Sequence, residues 1–172
     1  MFNVSYTSNI RPLSVVCAFL LMALMHTYAQ SPAKTIPSFT FKKLDKTEFT
    51  NRNLQDSKFL FFVFFDTQCD HCQHAIQYIN QHYSQFKKTA IYLITLDSVA
   101  KVNSFINKYG ISLKGKKNVV LLQDTRDEFI KKFGPRKYPS LFLYSEKKEL
   151  ILYEDNEQNL FRFIQIVNSS DK

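Results

Sequence analysis

The sequence predicts a single α/β domain, a central mixed β-sheet flanked by helices, and three observations carry that prediction. Two predominantly apolar runs, Phe59–Phe65 and Ile91–Leu96, are rich in aromatic and β-branched residues and do not alternate, the pattern of strands buried on both faces. Stretches with apolar residues at helical spacing separate such runs. The chain has 172 residues, 45% of them hydrophobic, with only 3 glycines. That is enough to bury one core, and it excludes disordered, collagen-like and low-complexity classes.

The folded part begins after an export segment. Residues 1–12 carry one charge, Arg11, and an apolar run of thirteen residues follows, Leu13–Met25. A membrane-spanning helix needs about 20 residues and a signal-peptide core about 7–15. Thr27-Tyr28-Ala29 then places small residues at the spacing of a cleavage site, with Ser31-Pro32 beyond. The expectation is a signal peptide over 1–29, cut after Ala29, and a domain over 30–172; an uncleaved anchor is the alternative. Cys17 lies inside the apolar run after Val16, a poor context for lipid attachment. An exported domain, periplasmic or extracellular, would not stay at the membrane after cleavage, and it would work where disulfides persist.

Along the domain, Phe39-Thr40-Phe41 alternates as an opening strand and Phe59–Phe65 is the first buried one. Cys72, Ala75, Ile76, Ile79, Tyr83 and Phe86 recur at helical spacing and predict a helix from Asp70 to about Phe86. After the strand Ile91–Leu96, Val102, Phe105, Ile106 and Tyr109 mark a helix over Val99–Tyr109 that Gly110 stops. Val119–Leu122 reads as a strand and Arg126–Phe133 as a short helix closed by Gly134-Pro135. Leu141–Tyr144 and Leu150–Tyr153 flank the polar turn Ser145–Glu149 as a hairpin, and Leu160–Val167 is a final helix.

Chemistry points to Cys69-Asp70-His71-Cys72, at the junction of a buried strand and the first turn of a helix. Unpaired amides and the positive end of the helix dipole favour a thiolate at Cys69. Two cysteines three apart can close and reopen a disulfide with little backbone movement, so Cys69 would attack a partner disulfide and Cys72 would resolve the mixed disulfide. His71 can add positive charge, and Asp70 opposes it. A static disulfide over so short a loop would stabilise little. Four-ligand metal binding by Cys69, His71, Cys72 and His74 fails because side chains from one helical turn cannot converge on one tetrahedral centre. A three-ligand copper module using Cys69, Cys72 and a nearby histidine is the alternative, and His74 and His82 otherwise read as exposed helix residues.

With that strand, Cys69-x-x-Cys72 and the later Tyr138-Pro139-Ser140, the chain resembles the thioredoxin-like superfamily, in particular its exported TlpA/ResA-type thiol–disulfide oxidoreductases. Ile36–Phe41, Phe61–Cys72 and Leu121–Leu143 carry the likeness, which spans roughly 35–167. The resemblance implies a thioredoxin-like fold and an enzyme exchanging disulfides with protein substrates and with a redox partner protein, without a cofactor or metal. It implies a cis bond at Pro139 and places Tyr138 in the substrate groove. It implies Cys69 and Cys72 as the redox disulfide, with His71 tuning the thiolate. Gln68 replaces the usual aromatic before the first cysteine, and Val63 stands where cytosolic thioredoxins bury an acid. A peroxiredoxin would carry threonine three residues before its cysteine, where this chain has Asp66.

The net charge is +8, spread over pairs such as Lys42-Lys43, Lys87-Lys88 and Lys147-Lys148. Dispersed pairs of this kind read as solvated faces, and no nucleic-acid motif accompanies them. Arg136-Lys137, beside Pro139, is placed to steer acidic partner segments.

Overall fold

The computed structural model describes residues 31–169. The export segment therefore lies outside the described residues. Seven strands form one sheet: β1 (Thr40–Lys43), β2 (Glu48–Thr50), β3 (Phe59–Phe64), β4 (Thr89–Thr95), β5 (Val119–Gln123), β6 (Ser140–Ser145) and β7 (Leu150–Glu154). Their order across the sheet is β2-β1-β5-β4-β3-β6-β7. The three central strands are parallel, and β1, β6 and their outer neighbours β2 and β7 pair antiparallel. Among the described residues four helices cover it: α1 (Asp70–Gln81), α2 (Val99–Tyr109), α3 (Glu128–Phe133) and α4 (Leu160–Ser169).

All six residues of β3 are buried because its two faces serve two cores. Phe59, Phe61 and Val63 face the layer of α1, α2 and α4, with Ile76, Phe105 and Phe163 among the contacts. Leu60, Phe62 and Phe64 face the other layer, built from Ile36, Phe39, Phe41 and the α3 residues Phe129 and Phe133. That second layer is held by rings: Phe39 stacks on Phe41 at 4.5 Å and Phe129 on Phe133 at 4.2 Å.

Most predicted elements stand. The helix expected to reach Phe86 instead ends at Gln81, and a separate turn covers Tyr83–Phe86. His82 causes the break: its ring Nδ1 meets the Tyr78 carbonyl at 2.9 Å and stacks on the Tyr78 ring, capping the helix end. It is half-buried, not the exposed helix residue that the pattern implied. The alternation also gave no sign of β2, only 3 residues long, which pairs with β1 and buries Phe49 alone.

Candidate active site

Cys69, His71, Cys72, Tyr138 and Pro139 gather at the end of the sheet where the parallel strands finish. Phe64, the last residue of β3, pairs with Ser140, the first of β6, so the segments leading to Cys69 and from Pro139 lie side by side. Cys69 is the N-cap of α1, and its sulfur accepts the Cys72 backbone N–H at 3.3 Å. That amide is shared between Sγ and the Cys69 carbonyl oxygen, which it meets at 3.0 Å, and the positive end of the helix dipole faces the sulfur with it. The Tyr138–Pro139 peptide is cis. The Tyr138 carbonyl accepts from the Cys69 thiol at 3.9 Å.

The two thiols differ sharply. Cys69 is partly exposed and Cys72 buried, with no disulfide between them. Burial pushes the Cys72 thiol well above its ordinary value of 9.0, and its hydrogen bond with Cys69 adds to the rise; a hydrogen bond from the Asp66 backbone opposes it. The acid absent at Val63 is replaced by packing, since Val63 is part of the α-layer core. Tyr138 is raised to about 12, by burial first and then by the negative charges of Asp66 and Asp97.

His71 is exposed and reaches outward to Glu157, its Nδ1 at 2.9 Å from Oε1. Burial alone would raise the Glu157 carboxyl, but the hydrogen bond from His71, with its own backbone, holds it below the usual range. The histidine is thus tied to the segment before α4, not folded back over the sulfurs. Among the described residues no three His, Cys, Asp or Glu side chains are grouped to hold a metal, so the Cys69–Cys72–histidine copper set is not brought together here.

The pair is flanked by two hollows, both lined by Lys137 and Tyr138. One, of about 260 Å³, lies between Phe64, Ile130 and Arg136. The other, of about 300 Å³, lies between His71 and Glu157. Arg136 packs over the Tyr153 ring and Lys137 stands 3.8 Å from Asp155, so the basic pair expected to steer partners is already engaged.

Sequence reasoning missed Asp97, just past β4. Its carboxylate accepts from Thr67 N at 2.9 Å, Thr67 Oγ1 at 2.8 Å and Lys101 Nζ at 3.2 Å. It thereby pins the loop that delivers Cys69. Burial works against the Asp97 charge, but the Thr67 and Lys101 bonds outweigh it and lower the carboxyl's pKa. The available signal was position: an acid at the carboxyl end of a parallel strand stands at the functional end of such a sheet.

Comparison with known proteins agrees with this geometry. The ResA thiol-disulfide oxidoreductases of Bacillus anthracis and Bacillus thuringiensis (strain Al Hakam) are 24% identical over 121 residues, covering 69% of this chain. The chain spans 66% of the length of those relatives. A secreted Mycobacterium tuberculosis disulfide oxidoreductase superposes with a TM-score of 0.61 at 18% identity, over 74% of this chain and 95% of that one. The thiol peroxidase of Chromobacterium violaceum gives 0.62 at 14% identity, over 81% and 89%. Both structures share the thioredoxin-like fold with this protein. The AhpC/TSA family model matches residues 32–152, from the strap before β1 through the cysteine pair and the cis-proline strand into β7, and the chain belongs to the AhpC/TSA family.

Proposed function

We propose that this protein is an exported thiol–disulfide oxidoreductase that exchanges disulfides with protein substrates through Cys69 and Cys72. The carrying observation is the asymmetry of the pair: an accessible sulfur under a helix amide, and a buried thiol one turn behind it. Cys69, as thiolate, attacks a substrate disulfide, forming a mixed disulfide and releasing one substrate thiolate. Cys72 then gives its proton to that released thiolate and attacks Cys69 Sγ, releasing the second substrate thiolate. Two electrons pass to the substrate, and the Cys69–Cys72 disulfide remains for a redox partner protein to reduce. The same steps in reverse oxidise a dithiol. Tyr138-Pro139 offers backbone to the substrate strand, and His71, held by Glu157, stands at the rim. The names of the ResA relatives support this chemistry, whereas a peroxidase reading lacks the threonine where Asp66 stands.

The test is covalent trapping. Cys72→Ser should accumulate mixed disulfides with partner proteins that reductant releases, Cys69→Ser should accumulate none, and wild type should reduce insulin with dithiothreitol as donor. If the Cys72→Ser protein traps nothing while still folded, the exchange reading falls. Export predicts a mature chain that begins at Gln30, which the mass of the protein recovered outside the cytoplasm checks.

A further inference from the structure

The fold gathers at one pole lysines that lie far apart in the sequence. The registers Phe59↔Thr89 and Ile91↔Val119 put the starts of β3, β4 and β5 at one end of the sheet, and Phe59↔Ser145 puts the β6–β7 turn there too. Lys58 precedes β3, and Lys87 and Lys88 precede β4. Lys114, Lys116 and Lys117 precede β5, and Lys147 and Lys148 form the turn. All are exposed, against the carboxylates Asp56, Glu146 and Glu149 in the same loops. Ile111, 57% exposed, lies in the turn that leads into the β5 loop.

At the opposite, Cys69 end the acids Asp66, Asp70, Asp97, Asp155 and Glu157 stand among the bases Lys101, Arg136 and Lys137, with Lys101 3.2 Å from Asp97 and Lys137 3.8 Å from Asp155. Charge is therefore segregated along the strand direction, with the basic excess on the face turned away from the cysteines.

We propose that this basic pole seats the domain on an anionic phospholipid surface and leaves Cys69 facing the aqueous phase. A lysine-rich face with an exposed isoleucine suits lipid headgroups, where each lysine near the surface contributes about fivefold in affinity. The choice of lipid over nucleic acid rests on the export reading, since an exported domain meets phospholipid. It replaces the expectation of solvated faces with no membrane contact.

The experiment is sedimentation of the full chain with vesicles of phosphatidylcholine alone or mixed with phosphatidylglycerol. The apolar segment Leu13–Met25 contributes to both, whereas the basic pole acts only on the mixture. Wild type should prefer the mixed vesicles, and the preference should fade at about 0.5 M salt. Lys87→Gln/Lys117→Gln/Lys147→Gln should weaken that preference on the order of 100-fold. Lys42→Gln/Lys43→Gln/Lys131→Gln, with the same net charge, should retain it within about twofold. In a Cys17→Ser/Cys72→Ser background, Cys69 should react with a bilayer-impermeant maleimide equally fast free and vesicle-bound. Equal loss in both triple variants, no preference for the mixed vesicles, or protection of Cys69 would overturn the proposal. Insulin reduction by the triple variants separates failure of this surface from failure of the redox reading.

Discussion

At the scale of single residues, the site works by holding two like groups in unlike surroundings. Burial holds the Cys72 thiol above its ordinary value, and Val63 offers no carboxylate to receive its proton. A raised value favours the folded state while the thiol is neutral in both states. That contribution fades as pH climbs above 9.0, where the unfolded chain can ionise this cysteine and the folded one cannot. Reduced wild type should accordingly lose stability above about pH 9 more steeply than Cys72→Ala, as thermal melts across the alkaline range would show. Asp97 is a positioning residue of another kind. Removing its carboxylate as Asp97→Ala strands two Thr67 donors and should cost about 1.5–3 kcal/mol in denaturant unfolding. It should also slow Cys69 alkylation, and Asp97→Asn, which keeps one acceptor, should recover part of both. An alkylation rate unchanged in Asp97→Ala would remove it from the site's support.

At the scale of elements, the ends decide where chemistry is delivered. Cys69 caps α1 with its sulfur. Asp124 performs the equivalent task for α3, its buried carboxylate accepting Phe129 N at 2.7 Å and Arg126 N at 3.0 Å. Gly134 closes α3 at φ +65, and a Cβ there would meet the Ser31 carbonyl oxygen at 2.4 Å. Both the left-handed backbone and the strap beneath it require glycine. Gly134→Ala should therefore destabilise the domain by about 1–3 kcal/mol, with the loss read as a shift in the urea midpoint. A neutral result would mean that the strap over 31–36 moves aside freely.

At the scale of the molecule, one sheet divides two cores and also separates two poles. Phe62 sits among Phe39, Tyr92, Phe133 and Tyr144, so Phe62→Ala should cost about 3–5 kcal/mol and still unfold in one cooperative transition. The buried runs, the Cys69–Cys72 spacing and Tyr138-Pro139 were legible because each is local: a periodicity, a helix start, a residue pair. The α1 terminus was not, because a histidine side chain competes for the last carbonyl. Asp97 and Glu157 were not, because their partners Thr67 and His71 stand 30 and 86 residues away in the chain. The lysine pairs looked dispersed for the same reason. By itself the sequence determined which segments must be buried and which two sulfurs share a helical turn, since burial pattern and i,i+3 spacing are properties of neighbouring residues. Only the tertiary structure decided what faces those sulfurs, what pins their loop and where the charge collects, since strand order and register bring distant loops to one end of the sheet.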